Sequence, residues 1–173
     1  MYLNRNNLII RSANENDAQI LCHWWSDGKI MAHAGFPNGI QTNIDELIYK
    51  LSKETDKARR LIIEIDLNKV GEMCYRIENS IADIGIKICD LSYLEKGYGT
   101  KAIRMLIKYL FDDMKVTKII LDTNLNNTRA QNVYEKIGFV KTNVRLDSWK
   151  NQLGLLQSTV DYELFREDFC IRK

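Results

Sequence analysis

The chain has very little proline and histidine, and it lacks the usual ligand patterns for metals. Its 173 residues include one proline, two histidines and four cysteines, and no two cysteines have Cys-x-x-Cys spacing. Two histidines and scattered cysteines do not make a zinc site. We therefore expect no metal and interpret the cysteines as free, mostly inert thiols in a reducing compartment.

Long apolar runs and a strong charge of one sign are also missing. No segment approaches the roughly 20 apolar residues that cross a bilayer, and residues 1–11 lack the apolar core of a signal peptide. The formal net charge is only +2, which gives no electrostatic footprint for a nucleic acid or an anionic membrane. We therefore expect a cytoplasmic protein that binds neither nucleic acid nor membranes.

What the chain does have is the composition of an ordinary globular protein. Apolar residues make up 45% and charged residues 28%, and repeats and linker-like stretches are absent. A chain of this length buries enough surface to fold without metals or disulfides. We expect one domain spanning residues 1–173.

Hydrophobic periodicity predicts an α+β order of helices and strands. The sequence gives a strand, two helices, three antiparallel strands, a helix, a strand, a helix and two strands. Within the third of the antiparallel strands, Ile84, Ile86 and Ile88 alternate and share one face. The helices are predicted near residues 15–25, 42–51, 97–111 and 129–137; the strands near residues 8–11, 60–66, 70–77, 82–89, 117–122, 139–145 and 158–165.

Two motifs carry the chemistry. Leu94-Glu-Lys-Gly-Tyr-Gly-Thr100 places two glycines where a loop meets a helix, and Asn127-Thr-Arg-Ala-Gln-Asn-Val-Tyr-Glu-Lys-Ile-Gly-Phe139 follows about thirty positions later. Together they resemble the acetyl-CoA site of the GNAT N-acetyltransferase superfamily. That resemblance implies a mixed, mostly antiparallel central sheet flanked by about four helices. The Arg11-ended first strand, the Trp-rich first helix and the tail at 161–169 resemble the ribosomal-protein N-terminal acetyltransferase branch.

The glycines suit the pyrophosphate of acetyl-CoA. Glycine lets the backbone approach a phosphate, and a helix N-terminus offers unpaired N–H groups and a partial positive charge. Gly97 and Gly99 match the family pattern, but its first position, Gln or Arg, is Leu94 here. One lost hydrogen bond to a charged group costs about 1–2 kcal/mol. Taken alone, the two glycines are equally a structural turn into a helix.

The resemblance implies a set of cofactor contacts and no metal. The strand ending at Ile88 and Cys89 is expected to separate from its neighbour and to offer main-chain groups to the pantetheine arm. Asn127 is expected to contact the cofactor or to cap the helix after it. Acetyl-CoA is thus the expected cosubstrate. The predicted cofactor-binding residues are Ile88, Cys89, Leu94, Glu95, Lys96, Gly97, Tyr98, Gly99, Thr100 and Asn127.

Acetyl transfer to an amine needs an acid for the leaving thiolate and a neutral nucleophile. Tyr134 stands at the family position of the general acid, although it could equally pack as a half-buried tyrosine. Asp122, twelve residues earlier, is the predicted base, and Glu72 is the second candidate. Either carboxylate could instead be an ordinary surface or substrate-binding group.

The acceptor pocket is expected to lie between the first helices and the late strands. Trp24, His33 and Phe36 are the predicted substrate-binding residues, with Trp25 and Trp149 as further lining, because aromatic faces suit cationic amines. Trp24 and Trp25 fit a plain hydrophobic core as well.

The predicted enzyme acetylates a primary amine of a small molecule or a protein N-terminus. The alternative is a non-catalytic acyl-CoA-binding module. The sequence leaves open the acyl length and the oligomeric state, for which a homodimer is the commonest form.

Overall fold

The computed structural model describes residues 1–171, with side chains through Phe169, and its strands form one open sheet. The spatial order is β1-β2-β3-β4-β5-β6-β8-β7. All neighbouring strands are antiparallel except β5 and β6, which are parallel. The strands are β1 (Tyr2–Arg5), β2 (Leu8–Ser12), β3 (Ala58–Ile65), β4 (Asn68–Glu78), β5 (Ile81–Ile88), β6 (Lys118–Asn124), β7 (Val140–Lys150) and β8 (Leu156–Phe165).

The helices are inserted mainly before β3 and on either side of β6. This layout confirms the predicted mixed, mostly antiparallel sheet, and the described residues contain six α-helices, two of them very short. Single 3-10 turns span Glu15–Asp17, Ala32–Ala34 and Leu91–Tyr93. The helices are α1 (Ala18–Ser26), α2 (Gly28–Met31), α3 (Ile44–Ser52), α4 (Tyr98–Asp112), α5 (Thr128–Ile137) and α6 (Arg166–Ile171).

The central strands are buried on both faces, with successive side chains of a strand pointing to opposite sides, whereas β7 at the edge is almost entirely exposed. In β3, Leu61 and Ile63 belong to the larger core, whereas Ile62 belongs to the smaller one. The larger core packs α4 on the sheet through its apolar stripe, and the smaller core packs α1 and α3 on the opposite face. The stripe of α4 consists of Ala102, Ile103, Leu106, Ile107, Leu110 and Phe111.

The structure differs from the sequence prediction at several local points. Strand β1 and helices α2 and α6 were not predicted, and β7 runs on to Lys150 through residues expected in a loop. The N-terminal strand is mostly polar and pairs as a hairpin with β2, so it has no apolar alternation to reveal it. Helix α3 begins one residue later than predicted, because its N-cap is Asn43 rather than Thr42: the side chain of Asn43 accepts the amide of Glu46 at 2.9 Å.

The cysteines with described side chains are free thiols. Burial raises the pKa of Cys89 to about 12 and also raises that of Cys74, which keeps both thiols protonated and unreactive. The side chain of Cys170 lies outside the described ones.

Over the described residues, no cluster of three potential metal ligands is found, and no helix is long and apolar enough to cross a membrane.

A buried carboxylate ties the N-terminal strands to the first helix. Asp17, with a side chain only 1% exposed, binds Arg11 at 2.7 Å and Lys69 at 2.7 Å. It also accepts the backbone amide of Asn14 at 2.9 Å, which completes a capping box. Burial alone would raise the pKa of Asp17, but the hydrogen bonds from Arg11 and Lys69 outweigh it and lower the pKa to about 2. The carboxylate is therefore charged in the folded protein at any ordinary pH.

We expect Asp17→Asn to lower the free energy of unfolding by about 2 kcal/mol, because it removes the buried charge that binds Arg11 and Lys69, while Arg11 keeps its ion pair with Glu64. The stabilisation in the wild type is complete above the unfolded pKa of about 3.9 and is lost as the pH falls towards 2. Urea unfolding between pH 2 and 6 measures both effects. Glu15→Gln on the same turn, where the side chain is exposed, is the control. Equal stability of the two variants would contradict this role.

Candidate active site

The defining feature of the site is that β5 and β6 separate after a short pairing. Only Ile81–Asp83 of β5 pair with residues 118–120 of β6. From Ile84 to Ile88, β5 continues to pair with β4 on one side, while β6 turns to pair with β8. The second edge of β5 is therefore open over five residues, and its backbone groups face a gap.

A cavity of about 750 Å³ fills this gap. Residues of β5 from Ile84 to Ile88 line one side, and Asp122, Thr123 and Asn124 of β6 line the other. The N-termini of α4 and α5 line it where Gly99 lies beside Ile88, and the Ala32–Ala34 turn and the end of β7 line it where Trp149 rests on Gly35. An elongated ligand can thus reach from the α4 N-terminus, past the open strand edge, to the aromatic end.

The N-terminus of α4 is built to receive an anion. Gly97 caps the helix with φ +78° and gives it no side-chain hydrogen bond. The first turn holds no acidic side chain, so the amides after Gly97 keep their positive partial charge. A substitution at Gly97 would strain the backbone by about 1–2 kcal/mol.

Gly99 is the one glycine whose missing side chain is required neither by its backbone conformation nor by the packing around it. Each of the other eight glycines either has a positive φ or has a neighbouring atom within 3.1 Å of where a Cβ would lie. A Cβ on Gly99 would meet only Ile88 Cγ1, at an ordinary 3.8 Å. Gly99 lines the cavity, so its missing side chain leaves room for a ligand rather than for protein.

The rest of the predicted phosphate loop lies at the same end of the cavity, with one exception. Leu94, Glu95, Tyr98 and Thr100 line the cavity, and Glu95 adopts a left-handed φ of +60°. Lys96 does not line it.

Three basic residues lie close to the two motifs in sequence: Lys96, Lys101 and Arg129. The ammonium of Lys96 lies 5.5 Å from the ring of Tyr93, and that of Lys101 lies 5.2 Å from the ring of Tyr98. Arg129 alone among these three lines the cavity. Of these three basic side chains, Arg129 is therefore the one best placed to bind a phosphate group.

The structure separates the two residues predicted at the end of β5. Ile88 lines the cavity, as expected. The amide of Cys89 instead donates to the carbonyl of Val70 at 2.8 Å. The Cys89 side chain belongs to the smaller core, beside α1 and α3. The open edge therefore ends at Ile88, and Cys89 is not brought to the cavity.

Asn127 caps α5 and also lines the cavity. Its side-chain oxygen accepts the amide of Ala130 at 3.3 Å. Its side-chain amide donates to no partner among the described residues. The loop before it is fixed by Asn124, which accepts the amide of Asn126 at 2.9 Å and donates to Gln157 at 2.8 Å. The geometry is compatible with both predicted roles of Asn127.

Tyr134 lies at the floor of the cavity and is 7% exposed. Its ring packs edge-on against Phe139 and Tyr162, at centroid distances of 6.0 and 5.7 Å. Burial, and secondarily the charge of Asp122, raises the pKa of Tyr134 to about 12. The phenol therefore stays protonated and available as a donor, and no described side chain takes its hydrogen bond.

Asp122 and Glu72, the two candidate bases, are both ion-paired. Asp122 is 62% exposed at the cavity mouth and binds Arg145 at 3.1 Å, which also binds Asp161 at 2.7 Å. One carboxylate oxygen of Asp122 is therefore already occupied by the guanidinium of Arg145. Asp122 and Tyr134 both line the cavity.

Glu72 is buried on the α1 side of the sheet, outside the main cavity. Its carboxylate accepts from Arg60 at 2.5 Å, from Trp25 Nε1 at 2.9 Å and from Lys87 at 3.3 Å. With three donors already bound, Glu72 is placed to hold α1 on β4 rather than to take a proton from an amine.

Of the predicted acceptor residues, His33 lines the cavity, whereas Trp24 and Phe36 do not. Trp24 is buried in the smaller core between α1 and α3, so its apolar position on the helix reflects packing. Phe36 is 38% exposed on the loop beyond the Ala32–Ala34 turn. Trp149, expected in a loop, lies near the end of β7 and lines the cavity.

Several lining residues were not predicted as site residues. Lys29 and Lys87 approach from α2 and β5, and Arg145, Ser148 and Thr159 from β7 and β8. They carry no motif, and those of β7 and β8 reach the cavity because β8 lies between β6 and β7 in the sheet. For the residues of β7 and β8, the available sequence signal was their place in the late strands, which were expected to border the acceptor pocket.

Comparison with known proteins agrees with this geometry. The family model of the acetyltransferase (GNAT) domain matches residues 7–140. The chain belongs to the GNAT acetyltransferase family. It is therefore an acetyl-CoA-dependent N-acetyltransferase, and acetyl-CoA is its cosubstrate.

Individual relatives match this chain either over only part of its length or at low sequence identity. A kanamycin resistance protein of Rhizobium radiobacter is 34% identical over 88 residues, 51% of this chain and 82% of that protein. The aminoglycoside N(6′)-acetyltransferase type 1 of Klebsiella pneumoniae is 48% identical over 52 residues, which are 30% of this chain and only 26% of the relative. The spermidine N-acetyltransferase of Vibrio cholerae, solved with CoA and spermine, shares the fold with a TM-score of 0.84. It is 20% identical, with 96% of this chain and 99% of that chain covered.

We expect Gly99→Ala to weaken acetyl-CoA binding about tenfold, which is about 1.4 kcal/mol, because the methyl group occupies space that the ligand needs. Folding stability should be unchanged or slightly higher, since alanine favours a helix. Calorimetric titration with acetyl-CoA measures the first effect and urea unfolding the second. Lys108→Ala, exposed towards the other end of α4, is the control. An unchanged dissociation constant would contradict the approach of the phosphate to Gly99.

Proposed function

We propose that the protein transfers an acetyl group from acetyl-CoA directly to a primary amine of a small cationic molecule, with Tyr134 as the acid. The observation that carries this proposal is the neutral phenol at the floor of a cavity that runs from an uncapped helix N-terminus to an aromatic end. No covalent enzyme intermediate is needed, since the amine itself attacks the thioester.

The open edge of β5 aligns the thioester in this proposal. The pantetheine arm pairs with backbone groups between Ile84 and Ile88, as an added strand would. An N–H near Ile88 then stabilises the oxyanion that forms when the amine attacks the carbonyl carbon. Pyrophosphate lies at the N-terminus of α4, near Gly99.

Tyr134 acts on the leaving group. As the carbon–sulfur bond breaks, its hydroxyl donates a hydrogen bond to the sulfur while the newly bonded nitrogen gives up its extra proton to solvent, and the thiolate then takes a proton from solvent to leave as a thiol. A pKa of about 12 against about 8.5 for a thiol makes complete proton transfer uphill by roughly 5 kcal/mol. Tyr134 therefore serves chiefly as a hydrogen-bond donor while charge builds on sulfur, and complete protonation follows as solvent re-enters.

The carboxylates beside Arg145 favour a cationic acceptor at that part of the cavity, whereas Lys29 and Lys87 line it elsewhere. Asp122 and Asp161 share one guanidinium, that of Arg145, so their net charge is negative. The pKa of nearby Asp83 is raised, first by burial and then by the charge of Asp122. An ammonium group bound here would relieve that repulsion.

The names of the relatives support the same choice of acceptor. They refer to kanamycin, aminoglycosides and spermidine, all polyamines. The predicted ribosomal-protein branch and a protein N-terminus as acceptor find no counterpart in those names, and both stay sequence-based predictions. The homodimer also stays a prediction.

Tyr134→Phe is expected to lower kcat by about 10²–10⁴-fold, the usual contribution of a positioned acid, with the dissociation constant for acetyl-CoA changed less than about twofold. Thiol release from acetyl-CoA, with kanamycin, spermidine and an alanine-initiated tripeptide as acceptors, measures turnover. Because the phenol stays neutral to about pH 12, activity should show no loss from its ionisation below about pH 11.

Tyr162→Phe is the matched control, because it removes a buried hydroxyl that bonds Glu135 at 3.0 Å outside the cavity. Its ring packs against Tyr134, so it reports the effect of local packing on turnover. Unchanged turnover in Tyr134→Phe would refute the acid role. Binding of acetyl-CoA without thiol release for any of the three acceptors would favour the non-catalytic module.

A further inference from the structure

The tip of the β7–β8 hairpin is tied to the loop after α2 by one side chain. Gln152 Oε1 accepts the amide of Asn38 at 2.9 Å, and Gln152 Nε2 donates to the carbonyl of Gly39 at 3.0 Å. The Gln152 amide donates to the carbonyl of Gly35 at 2.8 Å. These three bonds join segments more than 110 residues apart in sequence.

The hairpin tip is shaped to hold Gln152 in place. The side-chain oxygen of Asn151 accepts the amides of Leu153 and Leu155, each at 3.0 Å. Gly154 has φ +77°, and its amide donates to the carbonyl of Asn151 at 2.9 Å. The backbone on both sides of Gln152 is therefore fixed independently of the bonds to the other loop.

The same tie brings Trp149 against Gly35. A Cβ on Gly35 would lie 2.4 Å from the indole ring, so the ring rests directly on the glycine backbone. On its other side, Trp149 Nε1 donates to Thr159 Oγ1 at 3.0 Å. Between Arg145 and Trp149, β7 is irregularly paired with β8 and Asp147 has φ +48°, a bulge that redirects the following side chains.

The indole lies at the acceptor end of the main cavity. Trp149, Ser148 and Thr159 line it from the hairpin, and His33 lines it from the Ala32–Ala34 turn. The loop held by Gln152 follows directly after that turn. The two walls of the acceptor end therefore belong to separate segments, and Gln152 is the side chain that joins them.

We propose that Gln152 is a positioning residue that holds the indole of Trp149 as the specificity-determining wall of the acceptor end. This inference rests on the proposed transfer to a cationic amine, whose body would stack on the indole face. Gln152 acts through Trp149, does not line the cavity and contributes nothing to the chemistry at the thioester.

A double-mutant cycle with kanamycin as the acceptor tests this inference. We expect Gln152→Ala to raise KM for kanamycin about tenfold, with kcat and the affinity for acetyl-CoA changed less than about twofold. In a Trp149→Leu background, the same substitution should change KM less than about twofold, since coupled residues are not additive. Gln41→Ala is the control, because this exposed glutamine of the same region forms no hydrogen bond with a described residue.

Acrylamide quenching of tryptophan fluorescence gives a readout that is independent of turnover. The contribution of Trp149, taken as the difference from Trp149→Phe, should become more accessible in Gln152→Ala and stay unchanged in Gln41→Ala. Another outcome is that quenching increases in Gln152→Ala although the wild-type protein does not turn over kanamycin. That result would show that Gln152 holds the indole, and it would refute the proposed acceptor class.

Two results would overturn the inference. One is a KM effect of Gln152→Ala that persists in the Trp149→Leu background, which would mean that Gln152 acts on the acceptor without the indole. The other is unchanged quenching in Gln152→Ala, which would mean that its hydrogen bonds do not hold the indole. Gln152→Glu keeps the acceptor oxygen and loses the donor, so an intermediate KM is expected even where the alanine variant folds poorly.

Discussion

The incomplete pairing of β5 with β6 is the feature on which the rest of the site depends. Three residue pairs hold the parallel strands together, and then β6 follows β8 while β5 stays with β4. In most sheets an unpaired interior edge would be costly, because backbone groups away from water need partners. Here the edge faces a cavity, and an extended ligand arm can complete the hydrogen bonding. The fold thus keeps a backbone surface for the cosubstrate in the middle of its sheet.

Charge is distributed along that cavity in an order that suits the reaction. At one end, the first turn of α4 has free amides, no acid and an open Gly99, which suits phosphate. At the floor, Tyr134 is kept neutral by burial. At the mouth, Asp122 and Asp161 outnumber the guanidinium of Arg145. In the proposed function the phosphates and the amine therefore occupy separate places, and two carboxylates lie beside the place of the amine.

The sequence was sufficient for features that depend on local pattern. The alternation at Ile84, Ile86 and Ile88, the stripe of α4 and the Gly97 terminus all follow from spacing, and the structure has them. It was insufficient wherever a residue's surroundings come from distant segments. From the sequence, Trp24 fits a pocket wall and a hydrophobic core equally well. Its burial with α3 in the smaller core shows that it is a core residue. Gln152 has no pattern at all, since its partners lie more than 110 positions away.

Hydrogen exchange of backbone amides, with and without acetyl-CoA, tests the central claim most directly. The account predicts that acetyl-CoA slows exchange in the open segment from Ile84 to Ile88 and in the first turn of α4, with little change in β2 and β3. Those strands are already paired on both sides and serve as the internal reference. Saturating acetyl-CoA that leaves the Ile84–Ile88 amides unprotected would contradict the proposal that the open edge of β5 receives the cosubstrate.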